Sequence, residues 1–165
     1  MKKILFLVVT IVLLGSRAGR AEPAPDPFVG RWTMNVERST YPPGECPRRM
    51  VIEMEPAGHG IHYVSETTYA NGRSSRSEYT ARYDGRPVVV VGSHGILLPV
   101  ALERPAPDVV VASYAKATQV VATSRRVVSK DGRVMTITTT SRGPSGKAVT
   151  NVGVYERAPA VPPGQ

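Results

Sequence analysis

Chemistry in this chain would have to come from three histidines, one cysteine, thirteen carboxylates and a set of tyrosines and arginines. His59 and His62 are three apart. On a turn running into a strand, that spacing sends the two rings to opposite faces, and no cysteine or acid completes a metal set with them or with His94. "VGSHG" (91–95) has the outline of a nucleophile elbow, yet Val91 stands at the first glycine position and no helical pattern follows. "GPSGKA" (143–148) imitates a phosphate loop, but Ser141 stands where the first glycine is needed and Ala148 where a Ser or Thr belongs. Asp84 and Asp131 belong to Asp-Gly turns, Asp26 and Asp108 follow prolines, and Glu53, Glu66, Glu78 and Glu103 fall on the polar faces of separate strands. That leaves no carboxylate pair for general acid–base work. Cys46, in "YPPGECPRR", is a lone loop thiol without a neighbouring histidine, and it leaves an exported chain with no internal disulfide. The residues therefore predict no catalytic site, no metal and no cofactor.

What remains is a set of rings suited to binding. Tyr63, Tyr69, Tyr79, Tyr83, Tyr114 and Tyr155 all fall on strand-like runs, and rings with one polar tip suit a partly polar pocket. Tyr63, Tyr79 and Tyr155 are the expected ligand contacts among them.

The elements that must position these rings are β-strands. Runs rich in Val, Thr, Tyr and Ile at 29–37, 48–55, 61–69, 75–83, 87–92, 96–103, 109–114, 118–129, 133–141 and 148–157 are separated by turn signals. Asn71-Gly72, Asp84-Gly85 and Asp131-Gly132 read as tight hairpins, because these residues tolerate positive φ. Alternation is clearest in "SEYTARY", where Ser77, Tyr79, Ala81 and Tyr83 share one face. No window supports a helix longer than one turn, and that turn would lie near Glu37–Thr40. About ten antiparallel strands in sequence predict a single all-β, up-and-down barrel, because closure removes the exposed sheet edges.

The ends of the chain set its expected context. Lys2 and Lys3 precede an apolar stretch from Ile4 to Leu14, with small residues allowing cleavage after Ala18 or Ala21. This is the pattern of a secretory signal peptide, and the stretch is shorter than the ~20 residues a membrane span requires. Residues 1–21 are therefore expected to be removed, which leaves no transmembrane anchor and a secreted or periplasmic protein. A flexible leader (22–27), a barrel domain (28–158) and a Pro-rich tail (159–165) follow. Removing Lys2, Lys3, Arg17 and Arg20 halves the formal net charge of +8. The other cations are scattered, with no run longer than the pairs Arg48-Arg49 and Arg125-Arg126, which argues against a nucleic-acid partner.

"FVGRWTMN" (28–35) carries Gly30-Arg31-Trp32, and "VGVYERA" (152–158) closes the strand series. The first resembles the Gly-x-Trp opening of lipocalins and fatty-acid-binding proteins, and the second the Val-Tyr-Glu-Arg ending of the latter. "VVSKDGRVMTI" resembles their penultimate hairpin. The chain thus resembles the calycins, including small exported bacterial proteins called lipocalin-like. The resemblance implies a last strand that returns beside the first, Trp32 plugging one end of the barrel, and Tyr155 or Arg157 close to that plug. It implies a non-enzymatic barrel for a small hydrophobic or amphipathic molecule. The alternatives are a protein-binding module or inhibitor with a filled interior and, more remotely, an enzyme using the pocket. The fatty-acid binders close with Arg-x-Tyr. Here Tyr155 matches the tyrosine but Gly153 stands in place of the arginine, and Val127 falls near the family's second interior arginine. Arg125, on the same face as Val127, is the candidate substitute; without it the pocket would favour neutral ligands. In 133–141 the alignment turns Thr136 and Thr138 inward, whereas apolarity favours Met135 and Ile137, and the sequence leaves both open.

Overall fold

The computed structural model describes residues 25–93, 95–143 and 145–159. The signal peptide expected at 1–21, the start of the leader, His94 and most of the Pro-rich tail lie outside the described residues. The alternating runs form eleven strands: β1 (Gly30–Thr40), β2 (Arg49–Ala57), β3 (Gly60–Thr68), β4 (Ser74–Arg82), β5 (Val91–Gly92), β6 (Gly95–Ile96), β7 (Val100–Ala106), β8 (Val109–Lys116), β9 (Gln119–Val128), β10 (Val134–Arg142) and β11 (Ala148–Arg157). They make one antiparallel sheet in the order β6-β5-β4-β3-β2-β1-β11-β10-β9-β8-β7. Every neighbour in that order is also next in sequence, except β1 and β11. Their pairing brings Trp32 opposite Arg157 and Met34 opposite Tyr155, so the last strand returns to the first.

The β1–β11 register shifts between Asn35 and Thr40. There the Ser39 hydroxyl accepts a hydrogen bond from the Val154 amide at 3.0 Å and donates to the Asn35 carbonyl at 2.7 Å. A side chain thus satisfies backbone groups that the irregular register leaves unpaired. Glu37–Thr40, where a helical turn was expected, is part of this strand.

Closure of the ring involves no long strand. Asn71-Gly72 and Asp131-Gly132 sit in the β3–β4 and β9–β10 turns as the sequence predicts, but Asp84-Gly85 does not make a hairpin. Gly85 has φ +73°, and a β-carbon there would lie 3.2 Å from Glu103 Oε1. At this turn the chain crosses to β7, through the bridges Asp84–Glu103 and Val88–Val100. Gly85 N–H donates to Leu102 O at 2.9 Å, and Val88 and Val100 exchange backbone bonds of 2.8 and 3.0 Å. The runs read as 87–92 and 96–103 become this crossing, the two-residue strands β5 and β6, and a β7 that extends to Ala106.

One end of the barrel is sealed by apolar side chains. Phe28, Trp32, Ile52, Ile61, Leu102, Val110, Val128 and Met135 are all essentially without exposure. Asp26 and Pro27, expected in a mobile leader, help cap this end. Arg104 donates to both carboxylate oxygens of Asp26 at 2.7 and 3.0 Å, and its guanidinium lies 5.5 Å from the Phe28 ring centre and 5.0 Å from that of Tyr83.

Candidate functional site

Trp32 anchors the sealed end. Its indole N–H donates to Phe28 O at 2.9 Å. The Arg157 guanidinium stacks over the ring, 4.2 Å from its centre. That guanidinium also donates to the carbonyls of Gly132, Val29 and Pro27 at 2.6, 2.5 and 2.6 Å. Three carbonyl acceptors and a π face hold the cation at the junction of the first strand, the last strand and the β9–β10 turn. Partial burial works against its charged form, holding its pKa below the ordinary arginine value. Trp32 and Arg157 therefore close the barrel floor and do not face the cavity.

Above the floor the lining changes character. Period-two alternation turns Ile61, Tyr63, Ser65 and Thr67 of β3 inward, together with Tyr79 and Ala81 of β4. On β9, Ser124, Arg126 and Val128 point in and Arg125 is exposed. This corrects the expected face of that strand: Arg126, not Arg125, enters the barrel, and Val127 is turned away from the interior. On β10, Met135 and Ile137 are the inward pair, not Thr136 and Thr138. The pairings Arg126–Ile137 and Ile137–Gly153 carry the same register across β9, β10 and β11.

Arg126 is 2% exposed. Its Nη2 donates to the Tyr79 hydroxyl at 2.8 Å and, less closely, to the Tyr114 hydroxyl at 3.5 Å. The guanidinium carbon lies 4.8 Å from the centre of the Tyr63 ring, and Tyr63 stacks on Tyr79 with ring centres 4.7 Å apart. Its buried Nε has no hydrogen-bond partner, and none of the ion pairs among the described residues includes it. Burial opposes the charged form of Arg126, the facing Tyr79, Tyr114 and Tyr63 favour it, and the guanidinium stays charged. Burial pushes the Tyr63 phenol up to about 12 and those of Tyr79 and Tyr155 upward as well. These phenols are therefore neutral donors at any physiological pH.

Gly153 has a positive role beside Tyr155. A β-carbon at 153 would lie 2.7 Å from Tyr155 Cε2 and 3.0 Å from its hydroxyl. The Tyr155 ring thus folds back over Gly153 and fills the space a longer side chain would take, with its hydroxyl directed at Met50 Sδ at 3.1 Å.

Two cavities open above this group toward the end carrying the β1–β2 and β3–β4 turns. One, of about 360 Å³, is lined by Arg126, Ile137, Tyr155, Ser124, Thr139 and the rim residues Tyr41 and Glu45. The other, of about 520 Å³, runs beneath β5 and β6. Met50, Tyr63, Thr67, Tyr69 and Tyr114 line both, so the two adjoin and form two branches around these side chains. The hydroxyls in the upper wall pair with one another, Ser65 with Ser77 and Ser124 with Thr139, each at 2.7 Å. Of the residues expected to touch a ligand, Tyr63, Tyr79 and Tyr155 surround the cavity and Arg125 lies outside it. Arg126 was missed, and Tyr114, one of the six rings suited to a pocket, was not among the expected contacts. The Arg-Arg doublet was the available signal, but adjacent arginines leave their faces to the register. His62, far from any metal set, bonds Thr80 on the outer surface at 3.0 Å.

The sequence matches no family model and no curated protein. The fold does have solved counterparts. The zebrafish ileal bile-acid-binding protein complexed with cholic acid superposes with a TM-score of 0.55 at 14% identity, covering 80% of this chain and 99% of that one. The fatty-acid-binding protein of Schistosoma mansoni in complex with arachidonic acid does so with a TM-score of 0.57 at 16% identity, covering 81% and 97%. At these identities the likeness is one of fold: the chain is an all-β barrel of the calycin fold.

Proposed function

We propose that the barrel binds a small amphipathic anion, with its acidic head group on Arg126 and on the hydroxyls of Tyr79 and Tyr114. The observation that carries this reading is a fully buried guanidinium with no acidic partner among the described residues and a buried Nε–H without an acceptor there, set at the base of an open cavity. A lone buried charge is costly, and a bound carboxylate or similar anion would supply the missing acceptor. This shifts the expectation from neutral ligands, which rested on Gly153 and an exposed Arg125, to acidic ones. The solved counterparts carry a bile acid and a fatty acid, and both are amphipathic acids.

The cavity volumes lie in the range of small-molecule sites, which favours a ligand over a protein partner held by a filled barrel. A binding role without catalysis is supported by the lining. It offers the guanidinium groups of Arg126 and Arg76, neutral phenols and paired hydroxyls, and its acid, Glu45, stands at the rim. Titrating a fluorescent fatty acid and its uncharged ester tests the reading. The acid should bind more tightly than the ester, Arg126→Met should weaken the acid roughly 10- to 150-fold, the worth of a charged hydrogen bond, and Arg125→Ala should leave it unchanged. Equal binding of acid and ester, or dependence on Arg125, would sink it.

The site is proposed to work outside the cytoplasm. Lys2, Lys3 and the apolar run Ile4–Leu14 support export. Sequencing the N-terminus of the protein recovered from its native envelope should find a start near Gly19 or Glu22, and recovery of Met1 would refute export by cleavage.

A further inference from the structure

The cavity forks, and its two branches differ in chemistry. The branch at Arg126 is walled by Ser124, Thr139, Asn151 and Glu45. The branch beneath β5 and β6 has Val90, Leu97, Leu98 and Tyr63, Tyr79 and Tyr114 in its lining, together with Ser65, Ser77 and Arg76. Leu97 and Leu98 are 47% and 39% exposed although they border this branch, so part of their apolar surface has no neighbour among the described residues. The two leucines leave the short hairpin just after Ile96. Leu97 N–H donates to Val90 O at 2.9 Å, which ties the segment to the cavity wall. Gly92 makes room for it: a β-carbon there would lie 2.9 Å from both Leu97 Cγ and Cδ1.

Resting on the reading that Arg126 takes an acidic head group, we propose that this second branch is the subsite for the ligand's apolar tail. Leu97, Leu98 and Gly92 are then the residues that select the tail. The occupant is the alkyl or aryl tail of the same amphipathic acid. The branches adjoin along five shared lining residues, and apolar wall left bare is what such a tail would cover. The ligand class that follows is an acid with one compact apolar tail. The tail bends at Tyr63 and Tyr114 and runs out beneath the hairpin, past Leu97 and Leu98.

Calorimetric titration of hexanoate, octanoate, decanoate and dodecanoate separates tail from head. In the wild type, affinity should rise about fourfold for each methylene that enters the branch. In Leu97→Ser/Leu98→Ser, hexanoate should bind within twofold of wild type, while the gain from hexanoate to decanoate should fall at least tenfold. Gly92→Val, which displaces Leu97 and fills the branch, should likewise weaken decanoate and spare hexanoate. An unchanged dependence on chain length in both variants would overturn the tail subsite and leave the head-group reading standing. Failure of every acid to bind the wild type would instead overturn the head-group reading. If sedimentation showed a dimer that the double variant breaks, with chain-length dependence unaltered, the leucines would belong to a contact between copies and the proposal would fall.

Discussion

Trp32→Ala should lower the stability of the barrel by roughly 3–5 kcal/mol, the range for truncating a large buried aromatic side chain. Trp32 has no solvent exposure and fills the centre of the sealed end. Removing it leaves a cavity that the surrounding strands cannot collapse into, because β1 is hydrogen-bonded on both sides, to β2 and to β11. It also takes away the acceptor's partner at Phe28 O and the π face beneath Arg157. That guanidinium would keep its three carbonyl acceptors, so the loss should come chiefly from packing. Urea denaturation reads the change as a fall in midpoint with little change in slope. Trp32→Phe, which keeps a ring, should lose clearly less. A midpoint for Trp32→Ala within error of wild type would show that the sealed end does not depend on the indole.

Arg126→Met should have the opposite sign. Desolvating a guanidinium costs several kcal/mol, and no acid among the described residues returns it by attraction. The Tyr63 face and the Tyr79 hydroxyl recover part of the cost. Replacement of buried ion pairs by apolar side chains of similar volume is neutral to stabilising, by up to about 4 kcal/mol, and the ligand-free protein should fall on the stabilised side of that range even after Tyr79 loses its donor. The same substitution removes the proposed anion site, so stability and binding should move in opposite directions, as expected where a site is kept strained for function. Adding a bound acid should raise the unfolding midpoint of the wild type and leave that of Arg126→Met unmoved, because only a ligand that binds the native state stabilises it. Destabilisation of Arg126→Met without ligand would mean that the guanidinium braces the tyrosines and does not wait for an anion.

The class of the protein could be read from the linear chain. Alternation of period two, Asn-Gly and Asp-Gly turns and the absence of long helical spacing are local properties. They required most of the strands, the all-β class and an inward-facing set that includes Tyr63 and Tyr79. The pairing of chain ends was visible in Gly30-Arg31-Trp32 and Val154-Tyr155-Glu156-Arg157 through the resemblance they carry, and the meeting of Trp32 with Arg157 follows from that register.

Tertiary structure decided the rest wherever local signals tie. "TSRRVV" places an arginine and a valine on each face, so the strand's own pattern cannot say which arginine is inside. A shift of one residue exchanges the two faces completely. The choice of Arg126 is made by neighbouring strands, through its pairing with Ile137 of β10 and Val110 of β8. Asp84-Gly85 has the residues of a hairpin turn, but whether the chain doubles back or crosses to β7 depends on the curvature of the whole sheet, which brings Leu102 and Val100 within reach. The empty space itself is also beyond the reach of pattern. Gly153 reads as a lost arginine until the Tyr155 ring is seen folded over it. The cavity's two branches exist because side chains distant in sequence stop short of one another, and that is a property of packing, which no residue carries alone.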